Sequence, residues 1–330
     1  MYDHYIAVDW AQNNMAIGRM TKESPQVKVI DVPADLKELK LYLSRLHGKK
    51  ILTFEETTTS QWLYVELKGC VDEIVICDPY RNHLLSEGAK TDRLDAERLA
   101  QLLRAGLLKS VFHSTDQLIV LRKLASGYED LVKTGVRLKN QRAALFRAQG
   151  KAKKEKDLED PAEVFVLRGI TQQIEAYETE KKRYEGEIQK LGRKHVMIRH
   201  LDQLSGIGSI GAFKIAARVV NADRFKDKGR WLSYCGLVRH EKLSGGQSYG
   251  WRSPRYCRTL KSVFKTAAIS VIVSDGNSPF KEYYRFLLEK KRYAEHQARH
   301  ALARRIAVVA WGVMKSEKAF EAERISKKKM

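Results

Sequence analysis

Lys90-Thr91-Asp92-Arg93-Leu94-Asp95-Ala96-Glu97-Arg98 (KTDRLDAER) sets two aspartates three residues apart where a helix begins. At that spacing Asp92 and Asp95 lie on one face of the helix, one turn apart. Acidic side chains also suit a helix N-terminus electrostatically, so the pair alone is equally readable as helix-dipole stabilisation. Two further carboxylates upstream change the weight of the pair, because each falls where a strand should end. Tyr5–Asp9 (YIAVD) is a short apolar run closing on Asp9, and Ile51–Phe54 runs straight into Glu55 and Glu56. The question the sequence poses is whether Asp9, Glu55, Asp92 and Asp95 form one site.

The elements around these residues follow in a readable order. After Tyr5–Asp9, the pair Asn13–Asn14 turns the chain into Met15–Met20, and Val27–Ile30 makes a third strand. Leu36, Leu39, Leu43 and Leu46 recur at helical spacing, with Gly48 expected at that helix's C-terminus. Next come the strand before Glu55, a helix over Gln61–Lys68, a buried strand at Glu73–Cys77 and a helix over Arg93–Leu107. Three strands followed by alternating helix and strand is the element order of an α/β RNase H-like domain. That fold gathers carboxylates at the ends of its central strands and takes a last one from a helix.

Beyond this unit the texture is helical. Ser114–Gln117 (STDQ) has a capping-box pattern, so a helix is expected to start there. Leu121, Leu124, Tyr128, Leu131, Leu138 and Leu145 then keep a seven-residue rhythm. A charged stretch at Lys151–Asp160 reads as a hinge. A second long helix carries Ile170, Ile174, Tyr177, Tyr184, Ile188 and Leu191, interrupted by Lys181. The two helices suit either a hairpin within the chain or a coiled coil between protomers. From Leu201, LDQLSGIGSIGAFKIAARV has a helix-hairpin-helix look, in which the turn at Gly206 and Gly208 offers backbone N–H groups to a phosphate. A glycine-rich loop is expected at Leu243–Gly250. Trp251–Lys261 then mixes Arg252, Arg255, Arg258 and Lys261 with Trp251 and Tyr256, a composition suited to tracking a phosphate backbone. A last, mostly apolar helix is expected near Ala298–Val313, with Lys327–Lys329 as a frayed tail. The division expected is 1–112, 113–197 and 198–330, the last a mainly α domain.

Charge narrows the function. Residues 1–110 hold 15 Lys and Arg against 16 Asp and Glu, whereas residues 111–330 hold 46 against 24. A near-neutral first third joined to a strongly basic remainder points to a polyanionic partner, nucleic acid above all. No long apolar span or lipidation motif speaks for a membrane. MYDHYIAVDW lacks the basic and apolar segments of a signal peptide, so a cytoplasmic protein is expected. Cys70, Cys77, Cys235 and Cys257 form no CxxC pair and read as reduced thiols. Four carboxylates in one layer are what hard divalent cations such as Mg²⁺ require. Two such ions about 4 Å apart stabilise both the attacking and leaving oxygens at phosphorus. Ser244, in the sequence LSGG, is from its local context an ordinary turn residue, since a serine nucleophile needs a base, a metal or cations to activate it.

The chain resembles the IS110 family of DEDD transposases of bacterial insertion sequences over nearly its whole length. AVDW (Asp9), FEET (Glu55), KTDRLDA (Asp92, Asp95), LSGIG, YCGLVRHEKLSGG (Ser244) and RYCRTL match the family's motifs in order. The sequence departs from the pattern at Thr58, where the family has glycine, and at Glu56, which adjoins Glu55. It departs again near Arg239, where a proline is common. The resemblance implies a RuvC-like domain joined through helices to a domain carrying the serine. It implies Asp9, Glu55, Asp92 and Asp95 as Mg²⁺ ligands and Ser244 as the nucleophile toward DNA. It further implies a structured guide RNA from the element that pairs with donor and target DNA, and a homodimer or homotetramer in the bacterial nucleoid. A hydrolytic RuvC-like nuclease of the junction-resolvase type and a non-catalytic nucleic-acid-binding protein are the competing readings.

Overall fold

The computed structural model describes residues 1–82, 91–148, 158 and 160–321. Its contacts divide the chain into two compact units, Met1–Thr115 and Asp116–Met330.

The first unit is a mixed sheet covered on both faces. Strands β1 (His4–Trp10), β2 (Asn14–Thr21) and β3 (Lys28–Pro33) form an antiparallel meander. Strands β4 (Lys50–Glu55) and β5 (Glu73–Cys77) add to the other edge of β1 in parallel, giving the order β3-β2-β1-β4-β5. Alternation along the strands sorts the two faces. Ile6, Val8, Ile17, Leu52 and Phe54 turn toward Leu39 and Leu43 of α1 (Leu36–Ser44) and Leu63 and Leu67 of α2 (Ser60–Leu67). Ala7, Met20 and Cys77 turn the other way, onto Leu99 and Ala100 of α4 (Asp92–Arg104), while α3 (Pro79–Asn82) is a single turn after β5. The arrangement is compatible with an RNase H-like domain.

Two expectations for local structure need correction. Helix α1 ends at Ser44 with Arg45 as its cap, so Gly48 does not end it. Gly48 sits in the turn entering β4, with φ +95°, where an added Cβ would strike the Asp3 carboxylate. The next helix likewise does not start at Ser114. Helix α5 (Gln117–Ala148) starts later, and the Asp116 carboxylate accepts from the Leu118 N–H.

The second unit is helical apart from one hairpin. Helices α5 and α6 (Pro161–Lys194) pack on each other in antiparallel fashion. Tyr128 meets Tyr184 and donates to Glu185, Lys139 pairs with Glu178 at 2.5 Å, and Gly135 leaves room for the Tyr177 ring. The seven-residue rhythm is thus satisfied within the chain. Helices α7 (Val196–Asp202), α8 (Gly208–Val219), α9 (Lys228–Tyr234), α10 (Arg258–Val273), α11 (Pro279–Glu289) and α12 (Glu295–Ser316) complete the unit. Its core centres on Trp231, fully buried, whose ring packs on Phe225 and Phe264 and whose N–H donates to the Ala307 carbonyl at 2.7 Å. Strands β6 (His240–Ser244) and β7 (Gln247–Arg252) form the hairpin. Among the described residues no helix is long and apolar enough to cross a membrane. Cys70, Cys77, Cys235 and Cys257 form no disulfide among the described residues. Lys90, most of the expected hinge at Lys151–Asp160, and the tail at Lys327–Lys329 lie outside the described residues.

Candidate active site

The register of β1 against β4 places two of the carboxylates. Val8 pairs with Phe54, so Asp9 and Glu55 follow side by side at the C-terminal ends of adjacent parallel strands. Ala7 turns toward α4, and by alternation Asp9 does too; Thr53 and Glu55 occupy the matching positions on β4. Thr53 is buried and spends its hydroxyl on the Val75 carbonyl at 2.6 Å, which ties β4 to β5 just below Glu55.

Helix α4 carries the other two. Thr91 caps it by accepting from the Leu94 N–H at 3.3 Å, so Asp92 and Asp95 fall in the first turn. Arg93, between them, pairs with Asp31 of β3 and donates to the Val29 carbonyl, fixing that end of the helix over the sheet. Arg104 does the same at the far end through the Ser24 and Lys22 carbonyls. Gly18 sets the depth of packing. A Cβ there would lie 2.6 Å from the Ala96 carbonyl oxygen, so only glycine lets the helix backbone approach β2 this closely.

Electrostatics register the result. The Asp9 carboxyl is pushed up from 3.8 to about 6, first by burial and then by the charges of Asp92, Asp95 and Glu55. The four carboxylates therefore share one electrostatic neighbourhood. Among the described residues, however, no three His, Cys, Asp or Glu side chains are gathered tightly enough to hold an ion as they stand. An all-oxygen donor set of this kind fits a hard divalent cation in its chemistry.

Glu55 and Glu56 differ in their surroundings, through a residue the sequence reading passed over. His113, whose side chain is 5% exposed, holds Nε2 3.1 Å from Glu56 Oε2, and its ring lies against Tyr64. Glu56 is thus engaged on the far side of the strand end, leaving Glu55 beside Asp9. Ser60 braces the turn after them, donating to the Glu55 carbonyl at 3.0 Å and accepting from the Thr57 N–H at 2.6 Å. Thr58, one of the departures from the family pattern, is exposed in that turn. Asp78, another acidic residue just past a parallel strand, is committed to local structure, accepting from the Tyr80 N–H and lying 3.6 Å from Arg81.

In the second unit Ser244 is the last residue of β6, paired with Gln247 across a two-residue turn. The expected loop is therefore a hairpin. Gly245 and Gly246 have φ of +55° and +79°, the signs a type I′ turn requires. Every residue from Arg239 to Arg252 is exposed, including Trp251 and Tyr249. Arg252 ends β7, Arg255 lies exposed in the connection, and Arg258 and Lys261 open α10, whose first turn holds no acidic side chain. Tyr256 is not the free ring expected: it packs on Gly236, with Lys261 Nζ 4.2 Å from its centroid. Gly206 also differs from expectation. Its φ is +90°, and a Cβ would lie 2.4 Å from the Ala267 carbonyl, so its role is close packing on α10. Gly208, at the start of α8, stays exposed.

A mixed sheet carrying four acidic side chains at one end, followed by a basic helical unit, is compatible with a DNA-processing protein, and the comparisons narrow the class. Residues 6–148 match the DEDD transposase model of the IS110 type, and residues 198–285 match the model of the IS116/IS110/IS902 transposase family. The chain belongs to the IS110/IS116 family of insertion-sequence transposases. It is 27% identical over 153 residues to the "Insertion element IS116 uncharacterized 44.8 kDa protein" of Streptomyces clavuligerus, covering 46% of this chain and 37% of that one. It is 24% identical over 159 residues to a "Probable family 20 transposase" of Pseudomonas aeruginosa, covering 47% of this chain and 46% of that one. The chain thus spans less than half the length of either relative.

Proposed function

We propose that this chain is an insertion-sequence recombinase that cuts and rejoins DNA. Asp9, Glu55, Asp92 and Asp95 are its divalent-cation ligands, Mg²⁺ first among them, within a RuvC-like domain. The observation that carries the reading is the register of β1 against β4 beneath α4. It delivers four carboxylates to one end of the sheet and crowds Asp9 until its proton is held to about pH 6. A pair of bound divalent ions supplies charge neutralisation at the phosphate and at the departing oxygen.

Ser244 is the nucleophile. Its Oγ forms a bond to a DNA phosphorus as the P–O3′ bond breaks; the serine loses its proton and the released 3′ oxygen gains one. The chain then holds the 5′ end as a phosphoserine, and the reverse step rejoins strands without an external energy source. Arg252, Arg255, Arg258 and Lys261 track the backbone, and Gly208 offers its exposed position at the start of α8 to a phosphate. Arginine and lysine at the positive end of α10 are unfavourable alone and become favourable beside phosphate. The basic excess of residues 111–330 also suits a structured guide RNA, which would choose the DNA sequence by pairing. Assembly into a homodimer or homotetramer, with action in the bacterial nucleoid, completes the reading.

The test is to mix the purified protein, its element-derived RNA, Mg²⁺ and cognate DNA, denature, and look for a covalent protein–DNA adduct. The adduct should form with wild type and vanish with Ser244→Ala and with Asp95→Asn. Cleavage that proceeds without an adduct, and survives Ser244→Ala, would establish a hydrolytic nuclease instead. DNA binding without any cleavage by wild type would leave only a binding protein.

A further inference from the structure

A cavity of about 440 Å³ lies within the second unit, and His300 on its wall is near enough to Lys261 to feel its charge. It falls inside the range of about 300–1,000 Å³ typical of small-molecule sites. Leu232 of α9 and Tyr283 of α11 line it with Arg305 and Val308 of α12; Lys228, Tyr293, Gln297, His300 and Arg304 also line it and are exposed. None of its lining residues is acidic.

Three features give the cavity a chemical preference. Its cations are distributed around it: Lys228 comes from α9, and Arg304 and Arg305 from α12. Its two tyrosines come from different segments, Tyr283 from α11 and Tyr293 from the turn that follows. Arg305 lies over the Tyr283 ring, 5.7 Å from its centroid, leaving Tyr293 as the ring at the opening. His300 is held below the usual histidine range by partial desolvation and by Arg304, and its ring also bonds the Leu237 backbone.

Tyr293 is also deliberately presented. Arg292, just before it, has φ +52°, a left-handed conformation uncommon for a side-chain-bearing residue. The turn is held by the Lys291 N–H donating to the Phe286 carbonyl at 3.2 Å and the Tyr293 N–H donating to the Leu287 carbonyl at 3.0 Å. A flat ring at the opening, amide and imidazole edges at Gln297 and His300, and cations on a wall lined by no acidic residue are the complement of one nucleotide.

We propose that this cavity takes a single unstacked nucleotide of a nucleic-acid strand. Its base lies against Tyr293 and is read by Gln297 and His300, and its phosphate is held by Arg304 and Lys228. Free mononucleotides share this chemistry, so the experiment distinguishes the two sources. Short DNA duplexes carrying one unpaired 5-iodouracil are irradiated with the full-length protein, and crosslinked peptides are mapped by mass spectrometry. Affinity is measured in parallel by fluorescence anisotropy.

The expected crosslink falls on Tyr293, and it persists in the presence of excess mononucleotide. Tyr293→Ala should weaken binding of the unpaired-base duplex by at least about fivefold, with Tyr293→Phe close to wild type, because stacking needs only the ring. Fully paired duplex should bind both variants alike. Arg304→Ala should reduce the salt dependence of binding by about one phosphate contact. Crosslinks that map elsewhere, Tyr293→Ala binding both duplexes like wild type, or a crosslink abolished by mononucleotide would each overturn the proposal. All of these readouts stand apart from strand cleavage, so they are independent of Ser244 and the carboxylates.

Discussion

The two regions assigned to the chemistry are built in opposite ways. The carboxylates sit on a packed scaffold: strand register sets Asp9 and Glu55, and a capped helix pinned at both ends sets Asp92 and Asp95. Ser244 sits on a two-stranded hairpin with every residue exposed. An isolated hairpin is marginally stable in water. The contrast teaches that packing within the first unit brings its carboxylates into one neighbourhood, though not yet into an ion-holding cluster, while the hairpin has no buried residue to fix the serine.

The largest effect separating the two regions is expected from Ser244→Ala. It should abolish the covalent adduct, a loss of at least about 10⁴ in rate of the kind seen when nucleophiles are removed. The melting temperature should stay unchanged, since exposed substitutions cost within about 0.5 kcal/mol. Gly18→Val is the mirror case. It touches no reacting group, yet its side chain would drive into the Ala96 carbonyl and lift α4. It should cost about 1–3 kcal/mol in stability and remove activity together, measured by thermal melting and adduct yield. If Gly18→Val melted like wild type and remained active, preorganisation by close packing would be wrong.

The pH dependence sharpens the comparison further. Because the Asp9 proton is held more tightly folded than unfolded, its contribution to stability is fully present below about pH 4 and is lost as pH rises to about 6. In EDTA, Asp9→Asn should therefore match wild type near pH 4 and become the more stable protein above pH 6, read by thermal melts. A constant difference across that window would mean Asp9 is not crowded. The smallest effect belongs to Glu56→Gln. With Glu56 turned toward His113, adduct yield should remain near wild type, whereas Glu55→Gln should lose it.

Much of this arrangement was legible in the sequence. The meander, the helix carrying Asp92 and Asp95, and the strand ends at Asp9 and Glu55 follow from two periodicities and a cap. What the sequence concealed depended on partners distant along the chain. Nothing near FEET indicates that His113 would claim Glu56, and Gly206 reads as an anion turn until Ala267 is seen against it. The hairpin around Ser244 was hidden for another reason: with both faces exposed, its strands show no apolar alternation. Gly245–Gly246 was the available signal, since a glycine pair is a favoured hairpin turn. The helix after STDQ starts at Gln117, with Asp116 accepting from the Leu118 N–H.

The measurement that tests the central claim most directly is Mn²⁺ binding followed by electron paramagnetic resonance, on the whole protein without nucleic acid. The account predicts that wild type and Ser244→Ala bind the ion equally, with Asp9→Asn and Asp95→Asn clearly weakened. Binding unaffected by Asp9→Asn and Asp95→Asn, or lost in Ser244→Ala, would contradict it.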